Sequence, residues 1–394
     1  MNVSMSDFFS NRKFIAIVFI LFSIIASLQA FLGEEKYSGT EGYKYPQYNN
    51  YSIFKSSHQH LLAEKDLYVS YPKEHWDLYK YSPTFAAFFG FFANLPDLPG
   101  LILWTLLNAF IFYFAIYYLP NLSSKQKGFI LLLSLIELMT SLQNQQSNAL
   151  MAGLFIFAFG LAERKHFALA TLLLVISIYI KLFGLVAYVL FLFYHGKWKV
   201  FGYSLLWAFL LFLIPLIYID LEHYEFLLQR YFKLLQNDPP FSNGYSVQGW
   251  LISWFGLDLN NALILLFGAV GLFLPFVRFK NYKYYAFRLL MLASILIWVV
   301  IFNHKAESPT YIIAMAGAAI WIIISPKNKI NSFLFIFAFI FTSLSPTDLF
   351  PSSLRYNFII PYALKALPCI LIWLKLIYDM LNFKESEWHL FDVK

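Results

Sequence analysis

The side chains best suited to chemistry lie in a polar stretch, residues 31–83, which closes on His75-Trp76-Asp77-Leu78-Tyr79-Lys80-Tyr81-Ser82-Pro83. It carries Glu64, Asp66, Glu74 and Asp77 together with His58, His60 and His75. A carboxylate beside a membrane cavity can act as a general base and take the proton of an acceptor hydroxyl. Asp77 is the leading candidate, because it follows Trp76 and sits just ahead of the apolar run that starts at Ser82-Pro83, which places it near a bilayer surface. Asp66, in Lys65-Asp66-Leu67-Tyr68, is the second. Tyr43, Tyr45, Tyr48, Tyr51, Tyr68, Tyr71, Trp76, Tyr79 and Tyr81 crowd the same stretch. Their faces suit sugar rings and their polar ends suit hydroxyls. The same residues also suit an interfacial aromatic belt.

Further polar groups are spaced along the chain. Gln143-Asn144-Gln145-Gln146-Ser147-Asn148 joins two apolar runs. Its amides, Gln145 and Asn148 first, suit sugar hydroxyls or the cap of the next helix. Lys181 interrupts an apolar stretch, residues 167–194. A charge in such a place is costly and commonly functional; it can pair with a lipid phosphate or snorkel to the interface. His304 and Lys305 stand with Glu307 in a short turn, where two potential cations could hold a phosphate or form a local ion pair. Arg355, ahead of the last apolar run, offers the same choice.

These residues must be positioned by a membrane scaffold. Of 394 residues, 60% are hydrophobic and 13% charged, against about 25% charged in soluble domains. Aromatics reach 21%, mostly Phe, which suits lipid-facing helix surfaces. We therefore expect an all-α polytopic membrane protein with about 11–13 transmembrane or re-entrant helices. It should form a single membrane domain over residues 1–394, with a first outer loop at 33–81 and a second large one at 220–260. The net charge of +7 sits in short clusters between apolar runs and does not call for nucleic acid. The single cysteine, Cys369, lies in an apolar run, so an internal disulfide or thiolate metal site is excluded and a packing role is expected. No Walker loop, dinucleotide fingerprint, H-E-x-x-H or G-x-S-x-G is present, and no cofactor or metal is expected.

The expected apolar runs are residues 14–32, 82–95, 98–119, 128–142, 148–162, 167–180, 182–194, 200–219, 261–277, 285–302, 309–324, 331–344 and 356–381. The run at 82–95 is short and reads as re-entrant or interfacial. The first run has no clean cleavage site after it and reads as a retained helix. Counted in order, the spans put Arg12/Lys13, Lys125/Lys127, Arg164/Lys165, Lys197/Lys199, Arg278/Lys280/Lys283/Arg288 and Lys327/Lys329 on one side, the cytoplasmic side by the positive-inside rule. The N-terminus is then cytoplasmic. The opposite side receives residues 33–81, 143–147, Lys181, 220–260, 303–308 and 345–355, with most carboxylates and histidines. This sorting requires residues 167–194 to be two short helices turning at Lys181. Within the second large loop, residues 224–235 read as an amphipathic helix lying on the membrane. The turn-rich piece 237–246 reads as a cover for a substrate or a plain connector.

Four features, in order, resemble one family. Asn49-Asn50-Tyr51 followed by Leu61 to Tyr68 is similar to its first-loop pattern, and Tyr81-Ser82-Pro83-Thr84-Phe85-Ala86 to its Tyr-x-Pro-x-x-Ala helix start. Gln145-Gln146-Ser147-Asn148 is similar to its Gly-Gln-x-Asn turn, and Lys181-Leu182-Phe183 to its Lys-Pro turn. The layout resembles the GT-C membrane glycosyltransferases, and within them the polyprenol-phosphate-mannose-dependent mannosyltransferases of glycosyltransferase family 87. The resemblance covers roughly residues 10–200 and implies a hexosyltransferase of a bacterial plasma membrane. Such an enzyme takes a sugar, mannose by the likeness, from a polyprenyl-phosphate carrier to a lipid or glycan acceptor on the non-cytoplasmic face. A first-loop Asp is the base, the anomeric carbon inverts, and membrane lipids surround the site. This chain departs from the pattern with Asn49 and Asn50 where the early Asp is expected, and an amide is a poor base; Asp66 or Asp77 would then serve, with Asn49 and Asn50 left to bind substrate. A polysaccharide polymerase or ligase, a transporter or flippase for lipid-linked sugars, and a non-catalytic scaffold are the alternatives. Glu137, inside an apolar run, is the residue that speaks for transport.

Overall fold

The computed structural model describes residues 10–37, 42–237 and 244–388. Most of the turn-rich piece 237–246 lies outside the described residues. Helices carry most of the described residues, and the only strands described are Lys36–Tyr37 and Lys44–Tyr45, one short antiparallel pair in the first loop. We number the longer helices in order: α1 Arg12–Leu32, α2 Asn49–Leu62, α3 Asp97–Tyr118, α4 Ser124–Leu133, α5 Leu135–Gln143, α6 Asn148–Glu163, α7 Phe167–Ile180, α8 Lys197–Phe212, α9 Leu221–Asn237, α10 Val247–Phe255, α11 Asn261–Phe273, α12 Tyr285–Ile301, α13 Tyr311–Ile324, α14 Lys329–Ala338 and α15 Leu367–Leu381. Among the described residues, Arg12–Leu32, Asp97–Tyr118 and Lys197–Ile217 are long and apolar enough to cross a membrane, and seven shorter apolar helices accompany them.

Two expected spans are broken. The run 128–142 splits at Ser134 (φ −91, ψ −3), whose hydroxyl donates back to the Ile130 carbonyl at 2.8 Å, a contact that bends helices. The run 356–381 is not one helix. A π turn, Arg355–Ile359, leads into turns through Ala363 (φ 46), and α15 starts only at Leu367. Pro361 and Pro368 explain the interruption: neither supplies an N–H, and Pro368 suits a first helical turn. The division at Lys181 is present. Its backbone is extended (φ −144, ψ 127) between α7 and a 3-10 helix, Leu182–Phe193.

Packing follows the rules of the bilayer, where small residues let helices approach. On α1, Ser23, Ala26, Ser27 and Ala30 are buried in one stripe, and Ser27 meets Thr105 of α3 hydroxyl to hydroxyl at 2.8 Å. At Gly153 of α6 a Cβ would lie 2.8 Å from the Ile111 backbone of α3, and at Gly317 of α13 only 2.6 Å from the Ala293 carbonyl of α12. Neither site has room for a side chain. Nearly every residue of α12 and α13 is buried, as expected of helices apolar all round at the centre of a bundle.

The polar groups fall at two ends. At one, Arg12 lies over the Tyr117 ring at 4.9 Å and Arg164 over Tyr118 at 4.0 Å. Lys127 donates to the Tyr117 carbonyl at 2.9 Å. Arg288 grips both oxygens of Glu163 at 2.6 Å, and the Tyr194 hydroxyl donates to the same carboxylate. The first loop, the amide turn, Lys181 and Glu307 gather at the other. Between the ends one ion pair is buried in the bundle: Lys365 Nζ donates to Glu137 Oε1 at 2.7 Å, both side chains at most 1% exposed, and to Ser308 Oγ at 2.9 Å. Glu137 is thus an internal partner of Lys365. Removing one member leaves an uncompensated charge, so Glu137→Leu or Lys365→Met should each cost about 3–5 kcal/mol in detergent unfolding, and the double variant much less. A double variant as unstable as the singles would mean the pair itself is a net stabiliser.

Candidate functional site

A chain of hydrogen bonds runs across the polar end. Lys181 Nζ donates to Asn148 Oδ1 at 2.7 Å, Asn148 Nδ2 donates to Gln146 Oε1 at 2.6 Å, and Gln146 Nε2 donates to Glu307 Oε2 at 2.7 Å. It joins the α7 break, the start of α6, the amide turn and the turn before α13. Lys181 also lies 5.9 Å from the Tyr81 ring centroid and 5.8 Å from that of Phe183. The ammonium therefore sits in an aromatic and amide cradle, and no carboxylate among the described residues forms a salt bridge with it. Tyr81 stacks on Phe85 at 4.9 Å and meets Phe54 edge-on at 5.0 Å. Burial, with the Glu307 and Asp77 carboxylates adding, raises the Tyr81 phenol well above its ordinary range, so it stays a neutral donor.

The first loop is locked by one amide. Asn49 Nδ2 donates to the Trp76 carbonyl at 2.7 Å, and the Trp76 N–H donates to Asn49 Oδ1 at 2.8 Å. This double contact needs a donor and an acceptor on one side chain, which Asn provides and Asp cannot. Asn50 donates to the Asn144 carbonyl at 2.9 Å and ties α2 to the amide turn. Next to Trp76, Asp77 adopts φ 73, a left-handed conformation unusual for a residue with a side chain. Its carboxylate is half exposed, accepts from the Leu78 N–H at 2.7 Å and pairs with Lys80 at 3.2 Å. Trp76 is 38% exposed, its ring 6.5 Å from that of Tyr45.

Not every candidate joins this group. Asp66 is engaged by Arg230 of α9 at 2.5 Å and accepts from the Tyr68 N–H at 2.9 Å, which pins the loop to α9. Gln145 is buried with φ 51, donates to the Gln143 carbonyl and accepts from Trp104 through its own carbonyl at 2.7 Å. The glutamine that reaches the site is its neighbour, Gln146. His304 receives the Asn261 amide at Nδ1, 3.1 Å away, and the Lys305 N–H donates to Asn303 at 3.0 Å. Arg355 pairs with Asp348 at 3.2 Å and donates to the Pro346 carbonyl at 3.3 Å. Sequence reasoning named Gln146 only as one of the turn's amides and Glu307 only as the carboxylate beside His304 and Lys305. Their signal was position alone: each flanks a candidate by a residue or two. A cavity of about 450 Å3 opens beside Glu307, lined also by Gly244, Tyr245, Ser253 and Pro361. No cluster of metal-ligand type is present among the described residues.

Comparison with known proteins adds two findings. The model of glycosyltransferase family 87 matches residues 79–302, more than half of the chain. The match includes Tyr81, the amide turn and Lys181, begins after Asn49, Asp66 and Asp77, and ends before His304. Among solved structures, the chain is similar to the crystal structure of ArnT from Cupriavidus metallidurans bound to undecaprenyl phosphate, with a TM-score of 0.42 and 13% identity over 93% of this chain and 77% of that one. No curated protein sequence matches.

Two outcomes test the loop. Asn49→Asp removes the donor to the Trp76 carbonyl, which should cost about 0.5–1.5 kcal/mol of local stability and speed hydrogen exchange at residues 74–78. Burial also lowers the ring pKa of His58, His60 and His75 from 6.5, for His60 against the pull of Glu74 at 2.8 Å. The unfolded loop then binds protons first, so stability is lost as pH falls below 6.5. The melting midpoint in detergent should drop between pH 7.5 and 5.5, and replacing all three histidines by Gln should flatten that drop.

Proposed function

The chain belongs to glycosyltransferase family 87, and from that membership we propose that it works as one membrane domain moving a hexose from a polyprenyl-phosphate carrier to a lipid or glycan acceptor. The sugar is mannose by this reading. The reaction takes place at the polar end of the bundle, on the non-cytoplasmic face, with the basic end and the N-terminus in the cytoplasm of a bacterium. The observation that carries the reading is Lys181: a cation without a salt-bridge partner among the described residues, held by Asn148 and faced by Tyr81 at the turn between two apolar helices. A polyprenyl phosphate puts its phosphate at that level.

In this mechanism the acceptor hydroxyl attacks the anomeric carbon from the face opposite the phosphate. The bond between that carbon and the phosphate oxygen breaks, and its electron pair leaves with the polyprenyl phosphate. Lys181 stabilises the charge that builds there. The hydroxyl proton goes to Asp77, the half-exposed carboxylate that the Asn49–Trp76 clamp holds next to the aromatic residues. Trp76 and Tyr81 stack on sugar rings, and Asn148 and Gln146 hold hydroxyls. Asp66, already paired with Arg230, keeps the loop in place. His304, Lys305, Arg355, Asn50 and Gln145 are supporting residues in this scheme.

The test uses purified protein in lipid nanodiscs with labelled polyprenyl-phosphate mannose, and GDP-mannose as a control. Asp77→Asn should bind the lipid donor and lose turnover by about 10²–10⁴-fold. Lys181→Met should weaken donor binding itself, and Asp66→Asn should act through stability. A wild-type protein that binds no polyprenyl-phosphate sugar would sink the reading and bring a transporter or scaffold forward.

A further inference from the structure

The end opposite the proposed reaction site carries a cavity of about 600 Å3, lined by Lys165, His166, His195 and Lys199 with Leu169 and Tyr203. Four potentially cationic side chains thus converge on one opening. The carboxylate nearest in sequence, Glu163, is taken by Arg288 and Tyr194 and does not neutralise them. Two tight turns build the opening: Lys165 has φ 62 and Gly196 φ 90. Each turn starts a helix, α7 after His166 and α8 after Gly196, and neither helix has a side-chain cap. Their first-turn N–H groups add partial positive charge at the same place.

The second observation concerns what lies below the opening. Down α8, Phe201, Leu205 and Phe209 are 55%, 55% and 60% exposed. Their spacing of four puts them in one row on the helix. Lys197–Ile217 is one of the helices long and apolar enough to cross a membrane, so that row faces hydrocarbon. A basic opening at the top of a lipid-facing apolar row matches a molecule with an anionic head and acyl chains. A free phosphate would use only the first half.

We propose that this cavity binds the phosphodiester headgroup of an anionic membrane lipid, with the acyl chains along Phe201, Leu205 and Phe209. Lys165 and Lys199 face the phosphate, and the imidazoles of His166 and His195 contact its oxygens. The Tyr203 hydroxyl lies at the level of the glycerol. This site is separate from the proposed Lys181 site and does not depend on the reaction assigned there.

Native mass spectrometry of the purified full chain provides the test, with phosphatidylglycerol and phosphatidylcholine offered at equal concentration. The wild type should retain phosphatidylglycerol on the order of tenfold more than phosphatidylcholine. Lys165→Gln with Lys199→Gln should abolish the preference. Lys327→Gln with Lys329→Gln removes the same charge elsewhere on exposed residues and should leave it intact. No preference in the wild type, or equal loss in both double variants, overturns the proposal. Displacement of the lipid by equimolar inorganic phosphate overturns it too, and assigns the cavity to a free phosphoryl anion.

Discussion

Hydrocarbon offers no hydrogen bonds, and that constraint organises this molecule. A polar group within the bilayer must find its partner inside the protein or move to an end. The chain does mostly the latter. Its basic clusters close one end through aromatic rings and the Glu163–Arg288 clamp, and its amides and carboxylates close the other. The main exception is the Lys365–Glu137 pair. It satisfies itself in the interior and reaches Ser308, next to Glu307 of the site. Glu137, the charge that speaks for transport in the sequence, is paired with Lys365 in the structure.

The site draws its geometry from joints between helices. Lys181, Asn148, Gln146 and Glu307 come from separate places in the chain and meet only because α6, α7 and the turn before α13 end at one level. The first loop is added to this frame by short polar contacts, Asn49 to Trp76, Asn50 to Asn144 and Asp66 to Arg230. Each contact uses a side chain that would otherwise be a candidate for chemistry. The loop is thus held by its own polar residues, while Asp77, in a left-handed backbone beside Trp76, stays half exposed.

Much of the fold was legible because hydropathy and charge obey the bilayer. The turn at Lys181 followed from the positive-inside rule alone, and the backbone break is there. The breaks at Ser134 and before Leu367 were not legible from hydropathy, since both lie inside continuous apolar runs; a serine hydroxyl and two prolines decide them. Residue type singled out Lys181, Asn148 and Tyr81, and the structure brings the three together. It did not link Glu307 to Gln146, because their contact spans 161 positions of sequence. It also read Asn49 as a missing acid. The structure gives its amide a task that an acid cannot perform.

The segment after Lys181 changes how length should be read in this chain. Leu182–Phe193 is a 3-10 helix, and three of its four buried residues, Gly184, Ala187 and Leu190, repeat every third position. A 3-10 helix rises about 2.0 Å per residue where an α-helix rises about 1.5 Å. Its 12 residues therefore reach about 24 Å, most of the way across a hydrocarbon core of roughly 30 Å. Wound as an α-helix the same residues would be about 6 Å shorter. The tighter winding lets so short a segment run from Lys181 to Tyr194, whose hydroxyl meets Glu163 at the basic end.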